Sequence, residues 1–235
     1  MELRKKSILI ALCLGDGYIT HQRQLKNGKY YTYNYLEISH GAPQKKYIEW
    51  KAKLCTSITG RRSTVRSKKC KERVVNGRKL KESITYTFTN TAPYFKILRK
   101  WLYPNNKKYL NKKYLNYLDP LGIAIWYMDD GSTYVSKTDR SFSVKFCTHC
   151  SKEECEGICE LFYKKYGITF HINKVRTDQY IIRAYSSNAL KFIKLIEPFV
   201  PDCMAYKLIV PKFYFHECST SHLNRIQGMK IYSEQ

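Results

Sequence analysis

The sequence predicts an α+β protein built from two pseudo-symmetric αββαββα units. Three observations carry that expectation. Two apolar runs, 9–17 (Leu-Ile-Ala-Leu-Cys-Leu-Gly-Asp-Gly) and 123–131 (Ile-Ala-Ile-Trp-Tyr-Met-Asp-Asp-Gly), each end in an acid followed by glycine. Their aspartates, Asp16 and Asp130, lie 114 positions apart in a chain of 235. Spacing near half the length marks a duplicated unit. After each run, alternating strand patterns and amphipathic helix patterns recur in the same order. The halves divide as 1–118 and 119–235.

In the first half, 5–16 reads as a helix, with Ala11 and Gly15 four apart and so on one face. Small residues there let a second helix approach closely. A strand follows at 18–22, then a loop or hairpin tip at 23–31. Residues 32–39 alternate: Leu36 and Ile38 point one way, Tyr33, Tyr35, Glu37 and Ser39 the other. Pro43 suits the first turn of a helix reaching about 56, with Tyr47, Ile48, Trp50, Lys51 and Leu54 partly on one face. Between 61 and 81, ten basic residues (Arg61, Arg62, Arg66, Lys68, Lys69, Lys71, Arg73, Arg78, Lys79 and Lys81) face one acid, Glu72. Asn76-Gly77 in their midst is a strong hairpin signal. A two-stranded ribbon of that size fits the major groove of duplex DNA. Ile84, Tyr86 and Phe88 then point inward and Thr85, Thr87 and Thr89 outward, before an amphipathic helix at 92–103.

The second half repeats the order. Strands are expected at 132–137 and 142–148, with Lys145 outward. Ser151-Lys-Glu-Glu154 is a capping box opening a helix to about 166. Strands at 169–176 and 179–186 and a helix at 188–198 follow. A closing helix and tail occupy 212–235.

Net charge is +23, from 42 Lys and Arg against 19 Asp and Glu. Such an excess calls for a polyanionic partner. It is uneven: residues 1–118 hold 27 basic and 6 acidic residues, residues 119–235 hold 15 and 13. No apolar run reaches membrane-spanning length. The first apolar run carries an Asp and lacks a cleavage site, so an intracellular, unsecreted protein is expected. Nine cysteines then read as reduced thiols. Cys147 and Cys150 have zinc-like spacing, but no second such pair accompanies Cys155 and Cys159, so free thiols are expected over a metal centre. The six histidines, His21, His40, His149, His171, His216 and His222, are scattered and read as surface or structural.

If both apolar runs are helices, Gly17 and Gly131 fall where a left-handed residue commonly ends a helix. Asp16 and Asp130 then sit in the last turn, at the negative end of the dipole. A locally unfavourable arrangement that occurs twice needs a compensating partner, which a divalent cation supplies. Hydrolysing a phosphodiester also needs an activated water and neutralisation of charge, and carboxylate-held hard cations provide both. Mg²⁺ suits such a site, with Mn²⁺ as a substitute. Carbonyls near Gly15 and Asp129 would complete the shell.

The paired runs resemble the LAGLIDADG homing endonucleases, of the single-chain kind with two motif copies. Asp16 and Asp130 take the eighth, metal-binding position, and Gly17 and Gly131 the ninth. The first copy departs at the sixth position, where Leu14 replaces an acid. The second departs at the third and sixth, with Ile125 and Met128. The resemblance implies a saddle of antiparallel sheet lying on double-stranded DNA, cut by a monomer. It also implies a basic residue near each acid, for which Lys108 and Lys207 are the candidates, Lys107 being an equal competitor of Lys108. Outward positions would read or grip the duplex: Tyr33, Tyr35, Arg61, Arg62, Arg66, Lys68, Arg73, Thr85, Thr87, Lys145 and Arg183. The rival readings are an intron-RNA-binding maturase and a DNA-binding protein without catalysis. No protein-splicing motifs are evident beside the domain, so a free-standing or intron-borne gene is expected.

Overall fold

The computed structural model describes residues 2–75, 78–138 and 141–233. The chain folds as two compact units: residues 16–106 form one, and 1–15 with 107–235 form the other.

The 16–106 unit begins with a long hairpin, β1 (Tyr18–Lys26) and β2 (Lys29–Gly41). The segment 23–31, expected as a loop or hairpin tip, is a hairpin tip: its strands stay paired up to Asn27 and Gly28, which close a two-residue turn with φ of 50° and 71°. A turn with both central φ positive matches the right-handed twist of the flanking strands. A short 3-10 turn (Ala42–Gln44) leads into α2 (Lys45–Thr59), which Gly60 ends at φ 67°. Then come β3 (Arg66–Cys70), the hairpin strands β4 (Arg73–Val75) and β5 (Arg78–Leu80), β6 (Ser83–Asn90) and α3 (Tyr94–Leu102). Asn76 and Gly77 of the expected turn, and the side chain of Arg73, lie outside the described residues. The four-stranded sheet runs β1-β2-β6-β3, antiparallel throughout. Its inner face is Ile19, Leu36, Ile38 and Phe88, covered by Tyr47, Ile48, Phe95 and Leu98.

The other unit holds α1 (Leu3–Leu14), a short α4 (Lys112–Leu115), α5 (Pro120–Asp130), β7 (Gly131–Val135), β8 (Phe142–Cys150), α6 (Lys152–Tyr166), β9 (His171–Arg176), β10 (Gln179–Tyr185), α7 (Ser186–Ile196) and α8 (Thr220–Ser233). Its sheet runs β7-β8-β10-β9. With the β4–β5 hairpin set aside, that strand order repeats the order of the first sheet. The core centres on Phe146, Phe162, Phe170 and Phe192, whose rings sit 4.6–6.1 Å apart. The capping box is present: Ser151 Oγ accepts from Glu154 N, and Glu154 Oε2 accepts from Ser151 N.

α1 from Ser7 to Leu14 and α5 from Leu121 to Met128 are buried on every side, and the two helices pack on each other. Both contacts depend on glycine. A Cβ on Gly122 would stand 2.2 Å from Ser7 Oγ, and one on Gly15 2.3 Å from Asp129 Oδ2. Asp119 joins the pair: its Oδ1 accepts from Ser7 Oγ at 2.7 Å and from Gly122 N at 2.9 Å, capping α5. Two expectations need correction here. The first helix ends at Leu14, so Asp16 lies two residues past it rather than in its last turn. Gly131 is extended, at φ −87° and ψ 156°, and is not a left-handed cap. Its reason for being glycine is space, since a Cβ would fall 2.0 Å from Tyr127 Cδ2. Among the described residues no helix is long and apolar enough to cross a membrane.

Candidate active site and nucleic-acid interface

Within the α1–α5 unit, lysines meet the carbonyls at both motif-helix ends. Lys108 Nζ donates to Leu14 O at 3.2 Å and to Gly15 O at 2.9 Å. Lys207 Nζ donates to Gly131 O at 2.5 Å. Each occupies the negative pole of a helix dipole, where a cation is favoured. The choice between Lys107 and Lys108 is thereby resolved for the helix-end contact. Both line a cavity of about 490 Å³ together with Leu14, Asp130, Cys150 and Glu154.

The acids differ in their surroundings. Asp130, the last residue of α5, accepts from the buried Trp126 indole Nε1 at 3.0 Å, one helical turn back. Asp129 lies against Gly15. Glu154 fixes the segment carrying Lys108, its Oε1 accepting from Leu110 N at 2.8 Å. In the other unit, Asp16 is 44% exposed, and its Oδ2 sits 3.6 Å from Nδ1 of His40, whose side chain is 2% exposed. His40 continues to Gln44 Oε1 at 2.9 Å and to the Nζ of Lys51 at 3.1 Å. Carboxylate oxygens are hard donors, so Asp129 and Asp130 at the end of α5 offer ligands of the kind that suits a magnesium-like ion better than a soft metal.

Each sheet turns a polar face away from its core. Directly paired residues of antiparallel strands share a face. The register pairs Tyr33 with Gln22 and Tyr35 with Thr20, Thr87 with both Ser39 and Arg66, and Thr85 with Lys68. Six predicted contact residues, Tyr33, Tyr35, Arg66, Lys68, Thr85 and Thr87, therefore lie on one face, opposite Ile19, Leu36, Ile38 and Phe88. Arg61 and Arg62 stand apart, exposed in the loop between α2 and β3. On the second sheet Lys145 is paired directly with Arg183. Like charges in that position repel, so an anion against the face would relieve the pair.

Of the cysteine group, Cys150 and Cys155 bring their sulfurs to 3.3 Å. That hydrogen bond holds the Cys150 thiol below its ordinary pKa. The side chains of Cys147 and His149 lie outside the described residues.

Reading the sequence alone missed three neighbours of the acids. His40 was expected on the surface or in a purely structural role, yet it is buried at 5% exposure. Strand parity held the signal, because 36, 38 and 40 share the inward phase. Lys51 is wholly buried on the same face of α2 as Tyr47, the i,i+4 neighbour that signalled it. Trp126 reaches Asp130 by the same helical spacing.

The comparisons with known proteins agree with this geometry. A family model described as the LAGLIDADG DNA endonuclease family matches residues 6–192. Protein RecA of Mycobacterium gastri is 29% identical over 188 residues, covering 76% of this chain and 41% of that protein. Cytochrome b mRNA maturase bI2 of Saccharomyces cerevisiae is 27% identical over 223 residues, 86% of this chain and 46% of that protein. The chain thus spans less than half the length of these curated relatives. A solved structure of the homing endonuclease I-WcaI bound to its DNA recognition sequence superposes with a TM-score of 0.69 at 24% identity, covering 89% of this chain and 87% of that one.

Proposed function

Because this chain belongs to the LAGLIDADG DNA endonuclease family, we propose that it is a monomeric, metal-dependent, sequence-specific endonuclease cutting both strands of double-stranded DNA. The observation that carries this reading is the doubled helix end: an acid-glycine pair at the close of each motif helix, with a lysine on the adjoining carbonyls. The halves 1–118 and 119–235 would each supply one acid. Asp16 and Asp130 would hold Mg²⁺, or Mn²⁺ in its place, with oxygens of Gly15 and Asp129 completing the shell. Gly15 packs on Asp129, which supports a place for both of these residues at the end of the motif helices.

Bound there, the ion would supply an activated water and offset charge on the phosphate. The protein's own share is electrostatic. Lys108 and Lys207 are held by carbonyls before substrate arrives, so their charge is pre-aimed at the scissile phosphates. Tyr33, Tyr35, Arg66, Lys68, Thr85 and Thr87 on one sheet, and Lys145 and Arg183 on the other, would face the duplex. Arg61, Arg62 and Arg73 would add phosphate contacts. The place of action is inside the cell, wherever the target DNA lies.

The test is a plasmid library of random targets incubated with protein and Mg²⁺, with Asp16→Asn and Asp130→Asn variants alongside. Parent protein should linearise a subset sharing one sequence, and either substitution should stop it. Cutting that survives both substitutions would remove the proposed centre. The similarity to an mRNA maturase favours one second reading, retention of intron RNA. Tight binding of an intron transcript with no cutting of any library member would decide for it.

A further inference from the structure

Lys51 is wholly removed from solvent, at 0% exposure among Tyr47, Ile48 and Cys55 of α2. An ammonium in that position is costly unless its protons are accepted and its charge is answered. Its Nζ lies 3.1 Å from His40 Nε2 and 4.4 Å from the centre of the Tyr47 ring. An ammonium has donors and no acceptor, so Nε2 of His40 must present its lone pair. The single ring proton of a neutral His40 is therefore on Nδ1. That atom faces two acceptors, Gln44 Oε1 at 2.9 Å and Asp16 Oδ2 at 3.6 Å. The order is cation, imidazole, carboxylate, running from the interior of the unit to its surface.

We propose that His40 is a positioning residue for Asp16, and that buried Lys51 fixes the His40 tautomer in which it does so. This rests on the reading of Asp16 as a metal-binding acid. The arrangement explains three residues at once. Lys51 is buried because its charge is answered by Asp16 through the ring. His40 takes the inward phase of β2 because only there does it bridge the two. Gln44, in the turn between β2 and α2, shares the Nδ1 proton and keeps the ring from rotating. A side chain standing behind a metal ligand in this way orients it and raises its basicity, and its loss commonly weakens metal binding by about 10–100-fold.

Two measurements test the proposal. The first is the ¹⁵N spectrum of the His40 ring in protein labelled at histidine nitrogens. The expected signature is Nδ1–H with a bare Nε2, the reverse of the tautomer a free histidine side chain prefers. Lys51→Met, which keeps length and loses charge, should return the ring to Nε2–H. The second is binding of Mn²⁺ alone, followed by the electron paramagnetic resonance of the free ion. Asp16→Asn should lose a site, and His40→Ala should weaken it about tenfold. His40→Asn should recover most of that affinity, because its amide nitrogen reaches the Nδ1 position. Melting curves identify any variant that fails to fold; the tautomer of the parent stands whether or not a variant folds. An Nε2–H tautomer in the parent overturns the proposal. So does a His40→Ala protein that binds Mn²⁺ as the parent does while Asp16→Asn has lost the site. If Asp16→Asn binds as the parent does, the metal reading of Asp16 falls and takes this inference with it.

Discussion

Gly15→Ala is the sharpest probe of the helix pair. An added Cβ would stand 2.3 Å from Asp129 Oδ2, 2.4 Å from Asp129 Cβ and 2.7 Å from Cγ. The carboxylate oxygen can swing aside by rotation. The Cβ of Asp129 cannot, because it is fixed to the backbone of α5. Ordinary carbon contacts begin near 3.5 Å, so the helix ends must part by about 1 Å. The helices are buried up to these ends, α1 from Ser7 to Leu14 and α5 from Leu121 to Met128, which limits how far they can yield. Overpacking of this kind costs about 1–3 kcal/mol, and the upper end applies here. For a chain of this length the melting temperature should fall by about 5–10 °C. Gly157→Ala is the control. It lies inside α6, and its Cβ would meet nothing nearer than Lys112 Cβ at 3.7 Å. The same change there should stabilise by about 0.5–1 kcal/mol, by narrowing the unfolded chain. Thermal melts by circular dichroism read both signs, and cleavage of a target plasmid reads the displaced Asp129. A Gly15→Ala protein that melts with the parent would refute the close approach of α1 and α5.

Four further outcomes follow from single contacts. Glu154→Ala removes the acceptor of both Ser151 N and Leu110 N and should cost about 1–2 kcal/mol in urea unfolding, against no change for exposed Glu153→Ala. Trp126→Phe keeps the ring packing with Phe146 but loses the N–H to Asp130; plasmid cleavage should slow by about tenfold or more with the fold intact. Lys112 and Lys164 beside Glu160 hold its carboxyl at about 2, below its ordinary 4.5. A depressed carboxylate contributes above its unfolded value and loses that contribution as pH falls through the folded one. The melting difference between parent and Glu160→Gln should therefore be full at neutral pH, shrink below about pH 4.5 and be gone near pH 2. Burial pushes the Cys55 thiol up to about 11, while Cys155 holds Cys150 down beside an open cavity. Brief iodoacetamide treatment at neutral pH should label Cys150 well before Cys55, as read by peptide mass mapping.

Much of the fold was legible because its patterns are one-dimensional. Leu36 and Ile38 against Tyr35 and Glu37 defines a half-buried strand whatever lies around it, and the sheet register followed that phase. Ser151 and Glu154 announce a helix start by local chemistry alone. The misses came where three-dimensional neighbours decide. At 23–31 a loop or hairpin tip was expected; the hairpin tip is there, but how far its exposed strands stay paired toward Asn27-Gly28 is set by the partner strand. Gly131 was assigned a backbone role, while the Tyr127 ring is what excludes its side chain. His40 and Lys51 carry strand and helical phases that point inward, and the sequence already set Lys51 on the face of Tyr47 and Ile48, but phase does not name a partner. Their partners are polar atoms brought together by β2 and α2, which no local window contains.

The lysines at the motif-helix ends narrow what the acids need. A helix C-terminus repels a carboxylate because its last carbonyls are unsatisfied. Lys108 satisfies those of Leu14 and Gly15, and Lys207 that of Gly131. With the carbonyls answered, the dipole no longer argues against the acids, and what is left is their own charge. Asp130 receives a neutral indole N–H, which orients the carboxylate without neutralising it. The lysines are themselves engaged by neutral carbonyls, so their positive charge is not spent on a carboxylate in those contacts. Folding thus fixes a lysine on the carbonyls at the end of each motif helix and orients the Asp130 carboxylate through the indole N–H. A phosphate would meet lysines already held in place, and a hard cation a carboxylate already oriented.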